Sequence, residues 1–290
     1  MKQRIVLAYS GSPATVAAIP WLASTHNAEI VTMTLDVGQG RELEAVRQSA
    51  LAAGAVRAHV LDVRDEFARD CISSSLSDGA GDAYPLACAL ARPLIARKLI
   101  EIAGIEEAMV IAHGGDAADH RVITSEAQKI DPSICVIAAV GALPCGQKYT
   151  VHTTLWGRSI ECGSQQVREE LPEEIYSLTA ATKRAPDVPA HLEIAFEAGL
   201  PVAINGVPMT LTELIESVTT IAGNHGVGRV THAVSHTAYE APAAVVLQAA
   251  HAALGSAARR TAGTVRMELF RGRHTIVSAT STPTLAVQHS

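Results

Sequence analysis

The chain has 290 residues, of which 48% are hydrophobic and 18% are charged, and this balance excludes a disordered or fibrous protein. Its 23 basic and 29 acidic side chains give a formal net charge of -6, which argues against nucleic acid as a partner. No apolar stretch reaches the roughly 18 residues of a membrane helix, and the five cysteines form no C-x-x-C pair. We therefore expect a cytoplasmic protein with free thiols and no membrane contact.

The first half of the chain alternates short β-rich runs with amphipathic stretches. Such runs, nearly continuous in apolar residues, predict a parallel sheet that is covered by helices on both faces. In α/β sheets of this kind, ligands bind where the strands end and the helices begin. The strands are expected at 4–9, 29–34, 58–61, 109–112 and 135–138, and two of the helices at 42–53 and 85–103.

The second half has a different pattern, which is typical of an α+β domain. The periodic pattern lapses near 144–146, so we place a boundary between a first domain, 1–143, and a second domain, 144–290. The elements expected in the second half are strands at 191–196, 201–204, 264–270 and 274–279, helices at 210–222 and 242–254, and turns at Asn205-Gly206 and Arg271-Gly272-Arg273.

A loop of small residues, Ala8-Tyr9-Ser10-Gly11-Ser12, follows the first predicted strand and precedes a helix. Backbone N–H groups at such a turn face one concavity beside the positive end of a helix, and this geometry binds phosphate. Many α/β proteins that bind no phosphate also open with a small-residue loop. By itself, the loop leaves both interpretations open.

Further motifs follow in order along the chain: Ile19-Pro20-Trp21-Leu22, Asp36-Val37-Gly38-Gln39-Gly40, Tyr84-Pro85-Leu86, Ala112-His113-Gly114, Tyr149-Thr150, Leu155-Trp156-Gly157-Arg158-Ser159-Ile160-Glu161, Pro172-Glu173-Glu174-Ile175, Asn224-His225-Gly226-Val227-Gly228-Arg229 and Tyr239-Glu240-Ala241-Pro242. In order and spacing, they resemble the argininosuccinate synthase family over almost the whole chain. The resemblance implies an N-type ATP-pyrophosphatase domain with a Rossmann-like parallel sheet, followed by an α+β synthetase domain. It also implies a reaction in which ATP adenylates the ureido oxygen of citrulline and the aspartate amine then displaces AMP.

The resemblance assigns nucleotide contacts to the loop after the first strand and to a second loop. The family loop reads Ser-Gly-Gly-x-Asp-Thr-Ser, whereas this chain has Ala14 in place of the acid and Val16 in place of the last hydroxyl. Neither side chain can order a metal or its water shell, so we expect the use of ATP and Mg to be weakened or lost. The implied nucleotide-binding residues are Ala8, Tyr9, Ser10, Gly11, Ser12, Thr15 and Gly114.

The family's aspartate-binding segment is altered in this chain. Asp116 replaces a threonine, His120 an asparagine, Arg121 an aspartate and Thr124 an arginine. Acids at 116 and 119 would repel an α-carboxylate. His120 and Arg121, with Asp116, could form a new acid-base or anion site, but residues at the start of a helix also commonly act only as caps. A metal site from His113, Asp116 and His120 is the least favoured alternative, so no metal is predicted.

The family's citrulline-binding positions are better kept. If the chain is an enzyme, we expect Thr150 and Ser159 to position the substrate, Glu161 to hold its ammonium or guanidino group, and His120 or His152 to move protons. The alternative for Glu161 is a structural bond to Arg158 or to a backbone amide. The implied substrate-binding residues are Tyr84, Cys88, Thr150, Ser159, Glu161 and Tyr239. The region 233–238 is shorter than in the family. His236 within it, and His232 just before it, are expected at the surface.

Compared with the family, the chain is shortened after Ala139 and after Leu254, and the C-terminal oligomerisation helix has no counterpart up to Ser290. We therefore expect a homodimer in place of the family's interlocked tetramer.

Three functions remain open. We favour a C–N ligase-type paralogue that acts on an amino-acid-like molecule with a ureido, guanidino or carboxylate group, in a specialised biosynthetic pathway. The second is a non-catalytic relative that binds a small molecule or a partner protein. The third is an ordinary ATP-dependent synthase of arginine biosynthesis. The altered loop and aspartate segment argue against the third function, because catalysis depends on groups that stabilise the transition state.

Overall fold

The chain divides into two compact units. The computed structural model describes residues 2–40, 42–77, 87–139, 149–162, 171–232, 237–255 and 261–283. The first unit comprises Met1–Arg64 and Ala89–Gly146, and the second comprises Asp65–Cys88 and Gln147–Ser290. The boundary expected between residues 143 and 144 lies outside the described residues and stays a prediction. No helix within the described residues has the length and apolar character that crossing a bilayer requires.

In the first half of the chain, β-strands alternate with α-helices. In the second half, most elements are antiparallel strands. A π-helical turn at Phe67–Ile72 and a 3₁₀ turn at Glu173–Ile175 interrupt this order. The strands are β1 (Arg4–Ala8), β2 (Glu29–Asp36), β3 (Arg57–Asp62), β4 (Val110–His113), β5 (Cys135–Ala138), β6 (Tyr149–Thr154), β7 (Gly157–Cys162), β8 (Ala190–Glu197), β9 (Leu200–Ile204), β10 (Val207–Pro208), β11 (Arg229–His232), β12 (Thr237–Glu240), β13 (Thr261–Phe270) and β14 (Arg273–Pro283). The helices are α1 (Pro13–His26), α2 (Leu43–Ala52), α3 (Arg64–Glu66), α4 (Ser73–Ser77), α5 (Ala87–Ile105), α6 (Ala117–Ile130), α7 (Leu211–Asn224) and α8 (Pro242–Ala253).

The first unit contains a parallel sheet in the order β3-β2-β1-β4-β5. Its three central strands, β1, β2 and β4, are largely buried, and Ile5, Leu7 and Ile30 pack with Ile19 and Leu22 of α1 in one core. A strand that is buried on both sheet faces needs apolar residues at successive positions, which is the pattern in the sequence. The predicted parallel α/β fold is therefore confirmed, and each of its five strands begins and ends within two residues of the predicted bounds.

The sheet order brings two loops together. From β1, the chain proceeds to β2 and β3 on one side, and later to β4 and β5 on the other. The loops after β1 and β4 therefore lie side by side at the carboxyl edge of the sheet, where the strand order reverses. This is the position at which open α/β sheets bind ligands.

The second unit contains two antiparallel sheets, in the orders β11-β12-β7-β6 and β10-β9-β8-β13-β14. The predicted α+β class is confirmed, and both predicted turns form. Their residues have positive φ angles, 50° and 78° at Asn205-Gly206 and 47° and 83° at Arg271-Gly272, as tight hairpin turns require. The first of these sheets was not predicted, because its strands lie in segments interpreted only as motifs.

A buried carboxylate organises this four-stranded sheet. Glu240 on β12 is fully buried, and its Oε1 accepts from Leu178 N, Thr179 N and Thr179 Oγ1 at 2.6, 2.6 and 2.7 Å. Its Oε2 accepts from Ser177 N and from Arg158 on β7. A buried charge is tolerated only when donors compensate the lost hydration. Glu240 therefore joins the 177–179 segment to the sheet.

Arg229 of β11 holds the same segment from a second direction. Its guanidinium donates to both carboxylate oxygens of Glu173 at 2.9 and 2.6 Å, and its Nε donates to Thr179 Oγ1 at 2.8 Å. It also lies 3.9 Å above the ring of Tyr176. The hydrogen bond from Arg229 lowers the pKa of Glu173. The motifs that carry Glu173, Arg229 and Glu240 thus form one connected network.

Two glycines let these motifs approach one another. A Cβ at Gly157 would lie 2.8 Å from the Glu240 carbonyl oxygen, and a Cβ at Gly228 would lie 2.5 Å from Pro242 Cα. Both residues also have positive φ angles, +138° and +122°, which favour glycine. The close approach of the motif backbones therefore requires glycine at both positions.

We predict that Glu240→Gln lowers the free energy of unfolding by about 3 kcal/mol, as loss of one partner of a buried ion pair does. Every group that contacts the two carboxylate oxygens of Glu240 is a hydrogen-bond donor. The NH2 group of a glutamine would therefore face another donor in either orientation of the amide. Urea denaturation measures the change. Glu161→Gln on β7 of the same sheet is the matched control, because that side chain is exposed and should change stability by less than about 0.5 kcal/mol. Equal effects of the two variants would contradict the assigned role of Glu240.

Candidate functional site

Three hydroxyl groups cluster where the loop after β1 enters α1, because Ser10 and Ser12 lie in the loop and Thr15 lies in the first turn of the helix. Ser10 Oγ donates to Ser12 Oγ at 3.1 Å, and Thr15 Oγ1 lies 3.3 Å from Ser10 Oγ and 3.2 Å from Ser12 Oγ. Ser12 caps α1 by accepting from Thr15 N, and Pro13 stands in the first turn, where a missing N–H is tolerated. Gly11 has a φ of +72°. This group, the hydroxyl loop, is rich in hydroxyl and backbone N–H groups.

The hydroxyl loop meets the loop that follows β4. A Cβ at Gly114 would lie 3.1 Å from Thr15 Cγ2, so the two loops are in contact and only a small residue fits easily at 114. The predicted nucleotide residues Ser10, Gly11, Ser12, Thr15 and Gly114 are therefore adjacent. This contact agrees with the sheet order, although their roles stay predictions.

Two other predicted nucleotide residues belong to the sheet and its core. Ala8 ends β1. The Tyr9 side chain is buried, and its hydroxyl donates to Ser49 Oγ on α2 at 3.0 Å. The backbone of Tyr9 is also occupied, because its N–H donates to Met33 O and its carbonyl accepts from Thr34 Oγ1. Both residues position the hydroxyl loop.

The two acidic side chains at the start of α6, Asp116 and Asp119, have hydrogen-bond and ion-pair partners inside the protein. Asp116 Oδ1 accepts from Ala118 N and Asp119 N at 2.8 Å each, and Asp119 Oδ2 accepts from Asp116 N. The backbone hydrogen bond from Asp119 lowers the pKa of Asp116. Asp119 also pairs with Arg92 of α5. Asp116 thus acts as the helix cap, which was one of its two interpretations, and the expected repulsion of a carboxylate is reduced at both acids.

A histidine pair links β4 to α6. His113, at the end of β4, is 2% exposed, and its Nε2 lies 3.0 Å from His120 Nδ1. Its Nδ1 accepts from Gly115 N at 3.1 Å. Burial, followed by the charge of a protonated His120, lowers the pKa of His113, while Asp119 and Asp116 oppose this shift. The arrangement keeps His113 neutral.

The alternative metal set of His113, Asp116 and His120 does not form in this structure. The two rings turn their nitrogens toward each other, and the Asp116 carboxylate is used by the amides of α6. Across the described part of the chain, no group of three or more potential ligands has the geometry for a metal ion. Arg121, predicted beside His120, has an exposed side chain.

Four of the predicted substrate residues share one face of the four-stranded sheet. Thr150 of β6 lies opposite Glu161 of β7, and Tyr239 of β12 lies opposite Ser159. Directly opposed residues of antiparallel strands point to the same face, and so do residues two apart on one strand. The polar face is therefore formed by two cross-strand rows, Thr150-Glu161-Thr237 and His152-Ser159-Tyr239. It includes the predicted proton carrier His152.

The polar face combines buried and exposed groups. Ser159 is 1% exposed and Tyr239 is also buried, whereas Thr150, His152 and Glu161 are exposed. Among the residues that the structure describes, no side chain pairs with the Glu161 carboxylate. The expected alternative bond to Arg158 is wrong, because Arg158 points to the opposite face and binds Glu240. Within the described part of the chain, Arg158 therefore does not occupy Glu161, and the ligand role of Glu161 stays a prediction.

Some predicted residues cannot be located. Tyr84 and His236 lie outside the described residues, as do the side chains of Cys88 and His232. Other functional residues were missed, above all His113 as the partner of His120 and Glu240 as a buried anchor. The alternation of polar residues at 150/152 and 159/161 was the available signal for the polar face, since it has the period of a β-strand.

A parallel sheet with a donor-rich loop at the point where its strand order reverses is the architecture of nucleotide-binding α/β proteins. Two family models match this chain: "Arginosuccinate synthase N-terminal HUP domain" over residues 4–154 and "Arginosuccinate synthase C-terminal domain" over residues 149–260. The chain therefore belongs to the argininosuccinate synthase family, and the resemblance in the motifs is confirmed.

Relatives agree with this assignment. The chain is 38% identical to an argininosuccinate synthase of Streptococcus gordonii, over 87% of this chain and 70% of the relative. It is 39% identical to one of Dehalococcoides mccartyi, over 88% and 70%. A solved structure of NAD+ synthetase from Burkholderia pseudomallei aligns with a TM-score of 0.28 and 18% identity, over 45% of this chain and 66% of that one, which is too low to support an argument.

Proposed function

We propose that this family member acts on an amino-acid-like small molecule that binds at the polar face. The observation that carries the proposal is the pair of cross-strand rows, which place hydroxyl groups around one exposed carboxylate. Glu161 would hold an ammonium or guanidino group, and the exposed hydroxyl of Thr150 would bind ureido or carboxylate oxygens, while the buried Ser159 and Tyr239 would support the site from within the sheet. We infer a C–N ligase-type reaction in specialised metabolism, with His120 or His152 moving the proton.

We propose further that ATP binds weakly and that Mg contributes little. The hydroxyl loop and the start of α1 suit a phosphate, because they supply hydroxyl and N–H donors. The residues do not suit a magnesium ion, since Ala14 and Val16 offer no oxygen ligand. Two acids follow the loop after β4, and both have partners already: Asp116 binds amide groups of α6 and Asp119 binds Arg92.

A second candidate is the ordinary ATP-dependent synthesis of argininosuccinate. It is favoured by the match of both family models along the chain and by the contact between the hydroxyl loop and Gly114. A non-catalytic role in binding a small molecule or a partner protein is the third. An assay of pyrophosphate release from citrulline, aspartate and ATP separates the second candidate from the other two. Ligand binding to a Glu161 variant tests the polar face.

We expect pyrophosphate release from citrulline, aspartate and ATP to stay far below about 1 per second, a common turnover number for enzymes. The reason is that the residues which should hold the metal and orient aspartate are replaced. Calorimetry should show weak ATP binding that changes less than threefold when magnesium is removed. Fast release, or tight binding that depends strongly on magnesium, would establish the second candidate.

We expect Glu161→Gln to weaken binding of L-arginine and L-citrulline by about 30-fold, as loss of a charged hydrogen-bond partner costs about 2 kcal/mol. The melting temperature should not change, because the side chain is exposed. Glu197→Gln, at an exposed position on β8 in the other sheet, is the matched control and should bind both ligands normally. Unchanged affinity in the Glu161 variant would reject the proposed polar-face site.

We also propose that the chain forms a homodimer through β14. This strand ends its sheet and is exposed from Arg273 to Ser281, and no charged residue occurs from Thr275 to Pro283. Long uncharged edge strands pair readily with another copy.

Val277→Lys, at a position that is 61% exposed, should convert the dimer to a monomer in sedimentation experiments, because a charge opposes edge pairing. Val188→Lys, at a position that is 71% exposed and lies outside any strand, should stay dimeric. A monomeric unmodified protein at micromolar concentration would contradict the assignment.

A further inference from the structure

The hydrogen bonds of His113 determine where its proton lies. Its Nδ1 accepts from the Gly115 N–H, so this nitrogen carries no hydrogen. A neutral imidazole has one protonated nitrogen and one bare nitrogen, and the proton of His113 must therefore be on Nε2. If Nε2 were also an acceptor, the ring would be an imidazolate anion, which a buried site does not stabilise.

The same reasoning fixes the ring of His120. Since His113 Nε2 carries a proton, it donates across the 3.0 Å contact and His120 Nδ1 accepts. The proton of a neutral His120 then lies on Nε2, on the far side of the ring. A proton added to His120 Nδ1 would face the His113 N–H, so it would break the contact between the rings.

The charged groups around the pair allow this arrangement. Asp116 and Asp119 stand at the start of the same helix, but the first binds amide groups and the second binds Arg92 of α5. Arg121 is exposed beside His120. Burial lowers the pKa of His113, which disfavours a second proton on that ring.

We propose that His113 is a positioning residue that holds His120 as the Nε2–H tautomer, and that His120 thereby donates a hydrogen bond to an oxygen of an anionic ligand at the carboxyl end of β4. His120 lies in the first turns of α6, beside the loop that contacts Thr15. The ligand oxygen belongs to a phosphate or a carboxylate group. The inference rests on the proposed function only in taking this sheet edge as a ligand site.

Nitrogen-15 NMR of the full chain tests the tautomers directly, because long-range correlations distinguish a bare ring nitrogen from a protonated one. At pH 7.5, we expect both histidines to show a protonated Nε2 and a bare Nδ1. His113→Gln can still donate to His120 and should preserve its tautomer. His113→Leu cannot donate, so His120 should become a mixture. His26→Gln, on α1 away from the pair, is the control.

Two probes distinguish the ligand classes, ATP for phosphate oxygen and L-aspartate for carboxylate oxygen. Saturation with one of them should move the His120 Nε2 proton resonance while Nδ1 stays bare. His113→Leu should weaken that probe's binding about tenfold, as loss of a well-oriented hydrogen bond does, and His113→Gln should weaken it less than threefold.

Three results would overturn the inference: a bare Nε2 on His120, protonation of both its nitrogens when a probe binds, or no shift with either probe. The tautomer measurement on the unmodified protein needs no ligand and no variant, so a poorly folded His113→Leu protein does not prevent the test. A different experiment would show that the proposed function is wrong: arginine and citrulline would then bind equally well to the unmodified protein and to the Glu161→Gln variant.

Discussion

A polar group that is removed from water must find a hydrogen-bond partner inside the protein, and this requirement decides most of what the structure shows. Glu240 meets it with five donors, one from Arg158 on β7 and four from the 177–179 segment. His113 meets it with one acceptor bond and one donor bond. In each case, the partners restrict the side chain to one orientation.

The same requirement changes the meaning of the substitutions at the start of α6. Two carboxylates there suggest a negative site that repels substrate carboxylates. In the structure, one caps the helix and the other forms an ion pair with Arg92, so less charge faces a ligand than the sequence indicates. The donors that remain at this sheet edge are the hydroxyl loop and His120, and both suit an anion.

The two faces of the four-stranded sheet have different roles: one stabilises the unit and the other forms the candidate binding site. One carries Arg158, Glu240 and Arg229, whose bonds hold the 173–179 segment in place. The other carries the polar face, where the exposed Glu161 lies between Thr150 and Thr237 of the neighbouring strands. Because neighbouring residues of a strand alternate between faces, a motif such as Arg158-Ser159 contributes to stability with one residue and to the candidate site with the next.

The sequence by itself determined the parallel sheet, its five strands, the helices and both hairpin turns of the second unit, because these depend on local apolar periodicity and on turn residues. Its motifs also determined the family. Only the tertiary structure decided that Arg158 binds Glu240 and not its chain neighbour Glu161, and that His113 is the partner of His120. These pairings join residues 82 and 7 positions apart in the chain. They depend on which strands are neighbours and which face each side chain occupies, and local propensity specifies neither.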